Sequence, residues 1–161
     1  KPNMTIIDSE GNETYIRIVT RKKCIDGTAP MTIICEDVCL TPYHPVCIPD
    51  KNNRKKWYFP IDVECAENIR CEYYYNFVLD NGGSILCGLD RIEVCTLGHG
   101  QQGPVLGHRF YGCGDENDPE GIVYQLNSLF PNHNGEIDLT NTIEIRDPNN
   151  GNRVMGLKRL D

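Results

Sequence analysis

Cys35-Glu36-Asp37-Val38-Cys39-Leu40-Thr41-Pro42-Tyr43-His44-Pro45-Val46-Cys47 places three cysteines in one short tract, and how those sulfurs are read decides what the rest of the chain is expected to make. Outward from the tract, Cys24, Cys65, Cys71, Cys87, Cys95 and Cys113 bring the total to 9 cysteines in 161 residues. None precedes Cys24 and none follows Cys113. Reducing compartments keep thiols free and rarely tolerate such a density, so the sulfurs read as a disulfide framework and the protein as secreted and extracellular. An odd number cannot pair completely within one chain. The remaining thiol is expected to be free, lost to processing or bonded to another molecule, as in a disulfide-linked dimer. Two Asn-x-Ser/Thr glycan acceptors, Asn3 (Asn3-Met4-Thr5) and Asn12 (Asn12-Glu13-Thr14), agree with a secretory route. No apolar run is long enough to span a bilayer, and the opening Lys1-Pro2 reads as the start of a mature form.

The net charge of -7 argues against binding a phosphate backbone, since nucleic-acid readers carry a basic excess. The charge is uneven along the chain. Lys51, Arg54, Lys55 and Lys56 form a basic knot beside Trp57, and Asp115, Glu116, Asp118 and Glu120 form an acidic one. Both suit solvated loops; the basic knot is also a candidate contact for an acidic protein or a glycan.

Period-two apolar spacing with β-branched residues marks strands at Tyr15–Val19, Met31–Ile34, Asp90–Val94 and Thr142–Arg146. Turn chemistry stands at Asp80-Asn81-Gly82-Gly83 and at Asp147-Pro148-Asn149-Asn150-Gly151. The best short helices are Glu64 to about Val78 and Ile122 to about Phe130. The expected fold is mainly β and disulfide-rich: one compact body with a cross-linked head, residues 1–113, and a cysteine-free β tail, residues 114–161. A tail of that size without a bridge or metal is marginal alone, so it is expected to pack on the same core.

The quoted tract resembles the Kazal module of serine-protease inhibitors, in which the second and third cysteines lie seven residues apart and Tyr-x-Pro-x-Cys closes the segment; Tyr43, Pro45 and Cys47 match. The resemblance covers 35–87, with Cys65, Cys71, the Asn81-Gly82 turn and Cys87 standing for the end of the module. It implies the pairs Cys35 to Cys71, Cys39 to Cys65 and Cys47 to Cys87. It also implies Thr41 as the primary specificity residue of a reactive loop, with Pro42 beyond the scissile bond. This chain departs from the pattern in the seventeen residues between Cys47 and Cys65, in Ile48-Pro49-Asp50, and at Ile61 where the family has tyrosine. Proline beyond the scissile bond has no N–H and a fixed φ, which makes Thr41-Pro42 a poor inhibitory bond.

Other constellations point less far. Gly98-His99-Gly100-Gln101-Gln102-Gly103 spells a dinucleotide fingerprint, but Pro104 and Gly107 follow where a helix is needed, so it reads as a turn-forming loop. His99, His108 and Cys113 lack the tight paired spacing of zinc sites and read as loop residues. Asp147 to Asn152 lacks a calcium-ligand ladder. No cofactor or metal is expected. The reading that follows is a secreted, non-enzymatic effector or immune modulator that binds another extracellular macromolecule, such as a receptor, a protease or a glycan. Its candidate surfaces are Leu40, Thr41, Pro42, Tyr43 and His44, the segment Lys51 to Trp57, and Gly98 to Arg109. A Kazal-type inhibitor is the second reading and an extracellular hydrolase using His99, His108 or an acidic pair is the third.

Overall fold

In the computed structural model, which describes residues 1–160, the strands in chain order are β1 Thr5–Ile7, β2 Glu13–Lys23, β3 Thr28–Cys35, β4 Val38–Leu40, β5 Val46–Cys47, β6 Trp57–Tyr58, β7 Glu67–Arg70, β8 Tyr73–Leu79, β9 Ser84–Cys87, β10 Ile92–Cys95, β11 Glu136–Asp138, β12 Thr142–Asp147 and β13 Arg153–Arg159. One α-helix, α1 Ile122–Leu129, falls between β10 and β11. The alternation along Glu13–Lys23 makes β2 a half-buried strand, with Thr14, Ile16, Ile18 and Thr20 buried between more exposed neighbours. It carries β1 and β8 as antiparallel partners and β11 as a parallel one. A second sheet runs β6-β5-β10-β9 and a third β4-β3-β7, while β12 and β13 form a bulged hairpin.

The main core joins the two ends of the chain. Ile18, Val78, Leu97 and Phe110 pack with Ile122, Val123 and Leu126 of α1, with Ile137 of β11 and with Val154 of β13. Residues beyond Cys113 therefore share their buried surface with those before it. The helix is tied at its start and at its middle: the Ile122 N–H bonds the Phe110 carbonyl at 2.9 Å, and the Gln125 side chain accepts the Leu157 N–H of β13 at 2.8 Å. A smaller cluster holds Cys24, Ala29 and Met31 against Ile69, Cys71 and Tyr74.

The body is mainly β and compact, but it is not disulfide-rich. All nine cysteines are free thiols. Sheet topology explains why the pairs implied by the Kazal resemblance do not form. Cys71 donates its N–H to the Gly27 carbonyl at the start of β3, whereas Cys35 ends that strand. Eight residue steps separate Gly27 from Cys35, roughly 26 Å along an extended strand, against a Cα limit of about 7 Å for a bridge. Cys39 on β4 and Cys65 just ahead of β7 belong to opposite edges of β3. Cys47 on β5 and Cys87 on β9 likewise flank β10, facing Glu93 and Ile92. Two strand spacings, roughly 10 Å, lie between such partners. The nearest sulfurs are Cys24 and Cys71, whose Sγ atoms are 2.7 Å apart.

The expected helix at Glu64 to Val78 is instead β7 and β8. Tyr73-Tyr74-Tyr75 pairs with Arg21, Lys22 and Lys23 of β2, so strand pairing and aromatic packing override the helical reading. The helix expected at Ile122 to Phe130 is present as α1, one residue shorter. Leu126 is fully buried on α1, so Leu126→Ala is expected to lower unfolding free energy by about 3 kcal/mol. Ser128→Ala, exposed on the same helix, is expected to stay within about 0.5 kcal/mol. Urea titrations of both variants check the contrast.

Candidate functional site

Three histidines converge where the tract Leu40–Cys47 meets the end of β10 and the glycine-rich segment beyond it. His44 sits in a turn closed by its own N–H on the Thr41 carbonyl at 3.0 Å. Pro45 then accepts the Cys95 N–H at 3.1 Å, and His44 Nε2 lies 2.7 Å from the Cys95 carbonyl oxygen. A carbonyl can only accept, so Nε2 carries the proton and Nδ1 keeps its lone pair. Burial holds the His44 ring below its ordinary value of 6.5, against the opposing pull of the Cys95 carbonyl.

His99 follows four residues after Cys95 and is only 9% exposed. The Gln101 N–H donates to its Nδ1 at 2.9 Å, which places the ring proton on Nε2. Burial first, then the neighbouring His44 and His108, pull its pKa down to about 4. Small residues make this approach feasible. A Cβ on Gly98, whose φ is +66°, would stand 2.7 Å from Val123 Cγ2, and one on Gly112 would stand 2.8 Å from the His108 carbonyl and 3.2 Å from His99 Cε1. Two backbone bonds then join these segments: Gly98 N–H to Tyr111 O and Gly100 N–H to Gly112 O, each 2.8 Å.

His108 Nδ1 accepts the N–H groups of Phe110 and Tyr111, both at 3.2 Å. Its pKa is lowered by burial and then by Arg153, with Glu144 opposing and Arg146 adding a smaller decrease. The Tyr111 hydroxyl donates to Glu144 Oε1 at 2.5 Å, tying this loop to β12. Three neutral imidazoles at neutral pH are the outcome. Among the described residues, no group of three or more His, Cys, Asp or Glu side chains is placed to hold a metal ion.

Beside His99 lies a cavity of about 350 Å³ between the β1–β2 turn, the Asn81–Ser84 loop, β6 and β10. Its wall is a hydrogen-bonded row. Ser9 Oγ is 2.7 Å from Ser84 Oγ, Ser84 donates to Glu93 Oε1 at 2.6 Å, and Lys55 Nζ meets Glu93 Oε2 at 2.9 Å. Burial opposes the charge on Glu93, but bonds from Ser84, Lys55 and Ser9 outweigh it and hold the carboxyl below its usual range. Nearby thiols are poor thiolates, because burial raises Cys47 and Cys87 and pushes Cys95 up to about 12.

Of the residues singled out in the sequence, Thr41 and His44 belong to this site, and Lys55 and Trp57 line its cavity. Leu40 ends β4, the Pro42 carbonyl accepts the Ile61 N–H, and the exposed Tyr43 packs edge-on against Phe59 at 5.9 Å. Arg54 pairs with Asp50 at 2.8 Å, Lys56 lies over the Tyr58 ring, and Lys51 is exposed. Asn3 and Asn12 are exposed near the start. Cys113 donates to Asp118 at 3.3 Å. His99 and His108, read from spacing as loop residues, are central. The density of glycine from Gly98 to Gly114 is the signal that a close backbone approach is needed there.

The depressed imidazoles set a stability window. The unfolded chain binds more protons as pH falls below 6.5, so the stability of these groups is complete above that value and is lost as pH falls through their lowered folded values, about 4 in the case of His99. The depressed carboxylates of Asp8 and Glu93 add their loss only from 3.8 and 4.5 downward. Urea midpoints are therefore expected to fall between about pH 7 and pH 5. His99→Gln is expected to flatten that fall, and an unchanged slope in this variant would contradict the assignment.

A family model described as Vint, a Hint-domain, matches residues 1–156. No curated protein gives a match. The chain belongs to this Hint-domain family. That finding overturns the Kazal resemblance, together with the expectation of an effector or a protease inhibitor: Tyr43, Pro45 and Cys47 share a spacing with the inhibitor module without sharing its fold.

Proposed function

We propose that this chain is a self-processing domain, of the intein-like or Hedgehog-type kind to which the Hint family points, acting once on a peptide bond of its own polypeptide. The observation that carries the reading is the state of His44. Its Nε2–H is committed to the Cys95 carbonyl, so Nδ1 is an oriented base held neutral by burial. Thr41 shares its turn and adds a hydroxyl with no side-chain partner among the described residues.

In such a reaction a hydroxyl, thiol or water attacks the carbonyl carbon of an amide. The new C–O or C–S bond forms, the proton of the attacking group passes to His44 Nδ1, and the same proton is delivered to the amide nitrogen as the C–N bond breaks. One imidazole serves both transfers, and general acid–base catalysis of this kind contributes about 10²–10⁴-fold. Thr41 is given a positioning role through its free hydroxyl.

The test places the chain, with its natural flanking residues, between two reporter domains and follows fragment release by gel and mass spectrometry. Release is expected from the parent sequence and is expected to slow by at least about 10²-fold in His44→Ala, with a smaller loss in Thr41→Ala. The base must be neutral to act, so the rate is expected to rise with pH to a plateau, with its midpoint below 6.5. A folded parent fusion that stays intact would overturn the proposal.

A further inference from the structure

In the cavity beside His99 two carboxylates, Asp8 and Glu93, are already engaged. Asp8 Oδ1 takes the N–H groups of Glu10 at 2.9 Å and Asn12 at 2.8 Å, and its Oδ2 takes the amides of Asn81 at 2.9 Å and Asn12 at 3.3 Å. Glu93 divides its two oxygens between Ser84 and Lys55. Against this, one donor stands open. His99 Nδ1 is taken by Gln101, and its Nε2–H has no intramolecular partner among the described residues, on a ring that lines the cavity and is more than nine-tenths buried. Gly112 packs against that edge without crowding it, since a Cβ there would stand 3.2 Å from Cε1 and 3.4 Å from Nε2. An incoming group that accepts from it gains a hydrogen bond that no other part of the described chain makes.

The missing partner is thus an acceptor, and the charges limit which one. Asp8, Glu10 and Glu93 face a single Lys55, so a free carboxylate or phosphate would enter a negative field. A neutral carbonyl would not. We infer that this cavity seats a backbone carbonyl of the segment being processed, with His99 Nε2–H as the donor that orients it. The inference rests on the self-processing reading for what occupies the cavity, while the preference for a neutral carbonyl over an anion rests on the cavity alone. His99 suits the task because it stays neutral: a protonated ring would release the Gln101 bond and lose its fixed orientation, whereas a neutral Nε2–H polarises a carbonyl without a charge change.

Two measurements test this separately from processing. In nitrogen-detected NMR of the folded chain, His99 is expected in the Nε2–H tautomer between about pH 5.5 and 8. Adding N-methylacetamide is expected to shift that N–H resonance, while acetate at equal concentration leaves it in place. An Nδ1–H tautomer, or an acetate response as large as the amide's, overturns the inference. In the fusion assay, His99→Ala is expected to slow release by about tenfold or more, the loss of one hydrogen bond. His99→Gln, which keeps an N–H donor, is expected to recover most of it, with the pH midpoint set by His44 unmoved in both. Equal rates in folded His99→Ala and the parent would also overturn the inference while leaving self-processing intact. An amide response in a chain that never processes would sink the self-processing reading and retain the carbonyl cavity.

Discussion

The hydrogen bond from His44 Nε2 to the Cys95 carbonyl joins two segments that are distant in sequence, and each is shaped by the need to make it. A buried imidazole must place its N–H on an acceptor, and Cys95 offers one because β10 ends at that residue. The Cys95 N–H goes to Pro45, so both backbone groups of one residue face the His44–Pro45 corner. The bond fixes which ring nitrogen holds the proton. From that point the chain continues through Leu97, whose N–H bonds the Phe77 carbonyl at 2.8 Å, and delivers His99 next to the same corner. Removing the bond would leave an unpaired carbonyl and a ring free to rotate, so the tautomer and orientation of His44 depend on one contact.

Burial then does to the histidines what it does to the cysteines, with opposite sign. Desolvation disfavours the charged form of either group, so imidazole pKa values fall and thiol pKa values rise. Neutral histidine becomes an available base or a directed donor. Neutral thiol becomes an inert apolar side chain, as Cys95 is at the end of β10 and Cys24 is in the smaller cluster. The nine sulfurs are better understood as small core and edge residues of a sheet protein than as a framework of bonds.

Local patterns were legible where they depend on local physics. Tyr15–Val19 lies in β2, Met31–Ile34 in β3, Thr142–Arg146 in β12, and Asp147–Gly151 turns the hairpin as its Asn-Gly chemistry requires. Glu64 to Val78 misled because three tyrosines lack a clear period, and their strand pairing is made with a segment fifty residues earlier. The sulfurs misled for a different reason. Cysteine density reports an average over proteins, but pairing depends on which edge of which sheet each residue occupies, and β3 and β10 stand between the supposed partners. Thr41 and His44 were noticed for their spacing to cysteine and weighed as an inhibitor loop. His99 and His108 were judged by metal-ligand spacing, which is the wrong criterion for rings whose Nδ1 atoms accept backbone N–H groups.

The basic segment shows how a feature that looks like an outward surface can serve an inward one. Asp50 folds the Lys51–Arg54 turn on itself, accepting the N–H groups of Asn52 and Arg54 at 2.8 and 2.9 Å and the Arg54 guanidinium as well. Closing that turn returns the chain to β5, where the Ile48 N–H meets the Lys56 carbonyl at 3.0 Å and Trp57 pairs with Cys47. Lys55 is thereby aimed at Glu93, one residue before Val94 on β10 and two before Cys95. A carboxylate as buried as Glu93 remains charged only with such partners, and Ser84 and Ser9 take their orientation from it. The positive charge at residue 55 therefore fixes a cavity wall in which the Asp8 and Glu93 carboxylates are both engaged, beside the His99 ring.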